Sequence, residues 1–191
     1  MKTDFLLPAV GEGLGMRDWP VMSATDAVAL LDVLAVAGVG FWVNGGWGTD
    51  ALVGHETRPH RDIDLFIERR HVRLLRDALG TAGLAEVPGG RAANFVLSDD
   101  KGREVDVHLF ELDAAGNGLY PMSDGRVWLC QAEGLMGSGA ILGKPVRCFT
   151  AALQLQCYSG YDLDADDLHD IAVIREAFPG AMALPELFHE A

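Results

Sequence analysis

The chain has 191 residues, 49% of them apolar, and its 28 Asp and Glu against 15 Lys and Arg give a formal net charge of −13. That length supports one large domain, or a domain with a small appended unit, around a core of real size. The acidic balance is opposed to nucleic acid as a partner, since a phosphate-backbone footprint concentrates Lys and Arg on one face, and it suits a cationic small molecule better.

The first twenty residues, with Gly11, Gly13, Gly15 and Pro20, show no period and read as an irregular arm. Ser23 to Asp26 resembles a capping box, and Ala27, Leu30, Leu31 and Leu34 follow at helical spacing until Gly38 supplies a stop. The apolar run Val39 to Val43 predicts a strand, Trp47 to Val53 a short helix ending at Gly54, Asp62 to Ile67 a strand, and about Arg69 to Ala82 a helix with Val72, Leu75 and Leu79 on one face. Arg69, Arg70, Arg73 and Arg76 read as a solvated basic face of that helix. Asn94–Leu97 and Glu104–Phe110 flank the turn-rich Asp99-Asp100-Lys101-Gly102 and predict a hairpin. A loop through Gly116-Asn117-Gly118 leads to Val127-Trp128-Leu129, and a second hairpin, Gly137 to Cys148, turns at Gly143-Lys144. Thr150 caps a helix to Tyr158, and Asp164 or a neighbour caps a last helix halted near Pro179-Gly180. The pattern is α+β with a mixed sheet. It divides into an arm over 1–22, a core over 23–149 and a helical portion over 150–191.

Cys130, Cys148 and Cys157 are odd in number, lack metal-ligand spacing and read as core filler in a reduced compartment. The apolar stretch from Ala27 to Val43 is interrupted by Asp32, Gly38 and Gly40, so no membrane span is expected and a cytoplasmic location follows.

The chemistry gathers around Asn44-Gly45-Gly46-Trp47-Gly48-Thr49-Asp50 and Arg61-Asp62-Ile63-Asp64-Leu65. A glycine pair between a strand and a helix lets backbone N–H groups approach a phosphate at the helix N-terminus. Asp62 and Asp64, two apart in a strand, share a face, and two carboxylates held so close call for a cation; Mg²⁺ binds in this way, through one or two carboxylates plus phosphate oxygens. Asp106 shares a face with Glu104 and His108 and can complete a metal site or take a proton from an attacking hydroxyl. Edge-strand charge is the bland account of the Asp62–Asp64 pair, and a satisfied turn-proximal Asp that of Asp106. Arg58 is the candidate triphosphate clamp, with His60 assisting, since a guanidinium grips phosphate oxygens bidentately. His108 reads as structural, Lys144 as a solubilising charge, and Asp50 as solvent-facing or a local cap. Asp162, Asp164, Asp166, Asp167 and Asp170 suit a helix N-terminus without further explanation, though they would also attract an amine.

Gly45-Gly46-Trp47, Thr57-Arg58-Pro59-His60, Asp62-Ile63-Asp64-Leu65 and Glu104-Val105-Asp106-Val107-His108 resemble the signature of the polymerase-β-like nucleotidyltransferases that modify small antibiotics. Within that superfamily the chain looks most like the lincosamide nucleotidyltransferases, through Val105 to Glu111, Gly143-Lys144-Pro145-Val146-Arg147-Cys148, and Ser159-Gly160-Tyr161 with Asp167 and Asp170. The resemblance implies the polymerase-β-like fold. It implies ATP or another nucleoside triphosphate held by Gly45 and Gly46, with Mg²⁺ on Asp62, Asp64 and Asp106. It further implies transfer of AMP to a hydroxyl of an antibiotic, pyrophosphate release, and a possible homodimer. Since Gly46 is followed by Trp47 where the superfamily more often has a serine at the second glycine's place, backbone amides or Thr49 must hold the phosphate. A basic residue stands in the lincosamide family where this chain has Asp166. The alternatives are an aminoglycoside acceptor, or toxin-type modification of tRNA or protein.

Overall fold

The computed structural model describes residues 21–159 and 161–190; the expected arm lies outside them apart from Val21 and Met22. Ser23 caps the first helix, α1 (Ala24–Val36), by accepting from the Asp26 N–H while its hydroxyl donates to the Asp26 carboxylate at 2.5 Å. Strand β1 (Phe41–Asn44) runs straight into α2 (Gly45–Val53), which stops at Gly54 in the left-handed region. Strand β2 (Ile63–Glu68) and a single 3₁₀ turn at Arg69–His71 lead to α3 (Val72–Thr81). The short β3 (Ala85–Glu86), β4 (Asn94–Ser98) and β5 (Glu104–Leu112) follow, the last two forming the expected hairpin.

Where a loop is expected through Gly118, the chain instead forms β6 (Gly118–Pro121), paired with β7 (Arg126–Cys130). Burial alternates along this strand, but it is only four residues long and is bounded by Gly118 and Pro121, both poor strand formers, so the sequence does not announce it. After a 3₁₀ turn at Ala132–Met136 come β8 (Gly137–Ile141), β9 (Lys144–Cys148), α4 (Ala151–Cys157) and α5 (Ala165–Ala177), capped by Thr150 and Asp164 respectively. The chain does not finish on its helices: β10 (Phe188–Glu190) returns to pair with β7.

The sheet has the order β10-β7-β6-β5-β2-β1-β9-β8, with β4 also on β5 and β3 on β4. It is mixed, β2 lying parallel to β5 and antiparallel to β1. The period of two sorts the central strands between the faces. Ile63, Leu65 and Ile67 join Val105, Val107 and Leu109 under Leu30, Leu31 and Leu34 of α1 and Leu75 and Leu79 of α3. The opposite face carries Asp64 and Phe66 beside Asp106, His108 and Phe110. Below its carboxylates lies an aromatic cluster in which Phe66 meets Phe110, Tyr120 and Phe149 at centroid distances of 5.3, 5.3 and 4.9 Å. Such ring pairs add about 0.5–1.5 kcal/mol each beyond their buried area. This dry floor holds the polar residues above it at fixed height. Among the described residues no helix is long and apolar enough to cross a membrane.

Candidate active site

The register of three strands assembles the site. Asn44 of β1 pairs with Asp64 of β2, and Asp64 with Asp106 of β5, so the three lie in one row across the active face. The glycine motif follows from the same row. Gly45, at φ +60, turns the chain out of β1 into α2, and a Cβ there would collide with the Asp64 carboxylate. A Cβ on Gly46 would meet the Arg58 Nη2 at 2.6 Å and the His60 ring. The two glycines thus bring the N-terminus of α2 against the first carboxylate, which is where a phosphate and a cation meet in such chemistry.

Asp64, Asp106 and His108 bring one ligand atom each within 4.8 Å of one another. His108 Nε2 lies 3.6 Å from Asp64 Oδ1 and 3.8 Å from Asp106 Oδ2. Burial opposes charge on this ring, but Asp106 and then Asp64 outweigh it and hold its pKa above the ordinary value. His108, expected to be structural, therefore sits between the carboxylates. Burial, then Asp64, Asp106 and Glu104, push Asp62 well above the usual carboxylate range. Asp106 is pushed up to about 6, chiefly by burial, with His108 relieving part of the rise. Carboxylate oxygens of this kind fit a hard divalent cation such as magnesium, and the ligand atoms that converge are those of Asp64, Asp106 and His108. Asp62, expected to share the strand with Asp64, instead precedes β2 and lines the cleft beside them. Asn44 adds to the lining a buried Oδ1 with no hydrogen-bond partner, an acceptor left for a ligand.

The profile of the family described as aminoglycoside-2''-adenylyltransferase matches residues 26–174. The chain belongs to this adenylyltransferase family. It is a nucleotidyltransferase, and the α+β nucleotidyltransferase fold expected from its motifs is the one it adopts. A lincosamide resistance protein of Staphylococcus haemolyticus is 27% identical over 146 residues, 76% of this chain and 90% of that protein. A 2''-aminoglycoside nucleotidyltransferase of Escherichia coli is 29% identical over 135 residues, 66% of this chain and 69% of that one. The lincomycin-bound crystal structure of the lincosamide antibiotic adenylyltransferase LnuA superposes with a TM-score of 0.72 at 25% identity, covering 80% of this chain and 96% of that one. A crystal structure of ANT(2'')-Ia with adenylyl-2''-tobramycin shares the fold, at a TM-score of 0.65 and 18% identity over 81% and 88% of the two chains.

Against this family frame, several residues stand elsewhere than their sequence context suggests. Arg58, expected as a free triphosphate clamp, reaches the cleft wall but has its fork on Asp170: Nε donates to Oδ1 at 2.9 Å and Nη2 to Oδ2 at 2.7 Å, with Asp166 at 3.4 Å from Nη1. Burial disfavours the charged guanidinium, yet Asp170 more than offsets it and the Arg58 pKa is raised. Asp170, buried and also accepting from the Tyr158 hydroxyl at 3.0 Å, anchors α5 against the loop after α2. Arg58→Ala strands that carboxylate without its cation. It is expected to cost about 3 kcal/mol, or roughly 6–12 °C in Tm for a chain of this size. A thermal melt displaced by less than 1 °C would instead return Arg58 to the role of a phosphate ligand.

His60 does not face the cleft. Its Nε2 lies 2.5 Å from the Asp50 carboxylate, and its ring lies 4.4 Å from that of Trp47. Asp50, expected to face solvent or to cap locally, is buried and also accepts from the Thr57 N–H at 3.1 Å and hydroxyl at 2.6 Å. The pair ties the Thr57–His60 loop to α2, which sets the position of Arg58 and of β2. Thr49 is likewise buried, 3.5 Å from Gln154 Nε2, so backbone amides alone remain for the phosphate at this turn. Gln154 of α4, without any role assigned from sequence, donates to the Gly45 carbonyl at 2.6 Å and steadies the left-handed turn. A lone glutamine on an apolar helix face was its only signal. Of the acidic run, Asp164 caps α5 in a capping box and Asp164, Asp166, Asp167 and Asp170 line the cleft. Arg69, Arg70, Arg73 and Arg76 pair with Glu111, Glu68, Asp77 and Glu86, as a solvated face does.

The crowded carboxylates carry a stability cost in the magnesium-free protein. A carboxylate with a raised folded-state pKa costs stability at pH above that value, and the cost fades as acidification protonates it. Asp62→Asn is therefore expected to raise the magnesium-free Tm at pH 8 by roughly 2–4 °C, for a gain on the order of 1 kcal/mol. The gain shrinks toward pH 5 as the cluster takes up protons, Asp106 titrating near 6. Differential scanning fluorimetry at both pH values checks this; a lower Tm at pH 8 would show that the like charges are already compensated.

Proposed function

We propose that the protein transfers AMP from ATP, with magnesium, to a hydroxyl of a small antibiotic, a lincosamide in preference to other classes, and releases pyrophosphate. The observation that carries this reading is the row Asn44, Asp64, Asp106, with Gly45 at the α2 N-terminus set against the first of its two carboxylates. The α2 amides receive the phosphates, Asp62 and Asp64 supply the cation's oxygens, and Asp106 ligates it or accepts the proton of the entering hydroxyl. Magnesium, when bound, neutralises charge on the α-phosphate and on the departing pyrophosphate. Positioning and charge neutralisation supply most of what such a transfer requires.

The lincosamide preference is supported by the resistance protein that matches over 90% of its length and by the superposition on LnuA. An aminoglycoside acceptor is the second reading, favoured by the family's description and by Asp164, Asp166 and Asp167 on the cleft wall. Incubating the purified protein with each nucleoside triphosphate, magnesium and a panel of lincosamides and aminoglycosides, read by mass spectrometry, tests both. An adenylyl adduct on lincomycin or clindamycin supports the first. Adducts on aminoglycosides alone support the second, and labelling of tRNA or protein in place of either overturns the small-molecule reading. Salt separates them further: a polycation should bind more weakly as ionic strength rises, a singly charged lincosamide little so.

A further inference from the structure

A third glycine, Gly48, follows the pair inside α2, where the residue weakens a helix. A Cβ there would meet the Gln154 side-chain amide, Oε1 at 3.2 Å and Nε2 at 3.4 Å, besides the Val43 carbonyl at 3.1 Å. Gly48 thus leaves room for one side chain of α4. Gln154 is fully buried; its Nε2 donates to the Gly45 carbonyl at 2.6 Å, with the Thr49 and Tyr158 hydroxyl oxygens each at 3.5 Å. Its Oε1 is buried with no hydrogen-bond partner among the described residues. A half-satisfied amide is costly to bury, and Leu153 and Leu155 beside it show that this stretch of α4 accommodates apolar side chains. Two features that weaken the fold therefore converge on one hydrogen bond.

That bond acts on a peptide plane. The Gly45 carbonyl and the Gly46 N–H belong to one planar trans peptide and point in opposite directions, so fixing the oxygen fixes where the hydrogen is aimed. Between two glycines such a plane turns easily, because neither residue has a Cβ to restrict it. A helix's first turn holds the oxygen with a single N–H four residues on, and Gln154 adds a second bond from its side chain. The Gly46 N–H itself has no helical partner at this position. Asn44, at the N-cap, makes no side-chain cap bond, and the first turn of α2 carries no acidic residue. The amide is left open.

We propose that Gln154 is a positioning residue that locks the Gly45–Gly46 peptide, so that the Gly46 N–H is aimed at the triphosphate before it arrives. The assignment rests on the function proposed above. Gln154 borders the cleft and acts on the phosphate through Gly45. Behind it, the Tyr158 hydroxyl donates to Asp170, the carboxylate that also holds the Arg58 fork, so the lock is braced against α5.

Gln154→Met tests the assignment, since methionine has similar length, needs no partner and cannot donate. Calorimetry with ATP and magnesium, without acceptor, should show the ATP Kd raised at least about fivefold, the loss of one preorganising hydrogen bond. Leu153→Ala opens the aromatic cluster from the same helix and lowers the Tm, but should leave the ATP Kd within about twofold of the unsubstituted protein. In ¹⁵N-glycine-labelled protein the Gly46 amide proton should move downfield as ATP saturates, and this shift should be lost or much reduced in Gln154→Met at matching saturation. Gln154→Leu serves the same comparison if the methionine variant does not fold. An unchanged ATP Kd, or a Gly46 signal that responds to ATP equally in both proteins, overturns the positioning role and leaves the proposed function standing. Equal weakening by Leu153→Ala assigns the loss to α4 packing and overturns it too. No binding of any nucleoside triphosphate by the unsubstituted protein sinks the function and the positioning role together.

Discussion

Asp64→Asn is expected to lower nucleotidyl transfer at least about 10³-fold at saturating magnesium and triphosphate. Asp64 lies directly against Gly45 and in register with Asp106, so it stands where the proposed phosphate cradle meets the proposed cation site. Removing its charge removes several kcal/mol of stabilisation that exists only while charge develops on the phosphates, and each 1.36 kcal/mol is a factor of about ten in rate. The folded chain should survive, since the side chain is part-exposed and the amide is nearly isosteric. Steady-state transfer beside a thermal melt checks both statements. Activity within tenfold of the unsubstituted protein, with magnesium present, would remove Asp64 from the site.

The second large effect is expected at Asp106. Asp106→Asn retains an oxygen to accept from Asn94 Nδ2, so β4 and β5 should stay in place, while the capacity to take a proton is lost. If Asp106 acts as the base, kcat falls by about 10²–10⁴-fold and triphosphate binding, measured by calorimetry, changes little. In the unsubstituted protein the rate should then fall on acidification as Asp106, near 6 without a cation, takes up a proton; a bound cation moves the midpoint lower. Equal collapse of binding and turnover would make Asp106 chiefly a cation ligand and would send the search for a base to Glu104 or His108.

The elements with strong local signals were legible from the chain alone. Ser23, Thr150 and Asp164 announce helix starts because a side-chain oxygen before a helix satisfies an N–H within the next three residues, a purely local requirement. The alternation through Glu104 to Leu109 assigned Asp106 and His108 to one face before any partner strand was known, because a strand's period of two is local as well. Gly45-Gly46 and the Asp62–Asp64 pair are short-range patterns of the same sort, and with them the class of chemistry could be read.

What the sequence by itself determined, then, is the succession of elements from α1 to β2, the β4–β5 hairpin and the two capped helices, and the faces of the central strands; β3, β6 and β10 were not legible in it. Tertiary structure decided which of the neighbouring charges are available. Arg58 reads as a phosphate clamp until Asp170, 112 residues later, takes its fork, and His60 reads as its assistant until Asp50 buries it. Gln154 holds the Gly45 carbonyl across 109 residues, and Asn94 reaches Asp106 only because β4 and β5 pair in one particular register. Hydrogen-bond partners in a dry interior are chosen by whichever donors and acceptors the packing brings within about 3 Å, and burial makes that pairing obligatory. No local pattern encodes it, so the backbone of the site was readable in the chain and the commitments of its side chains were not.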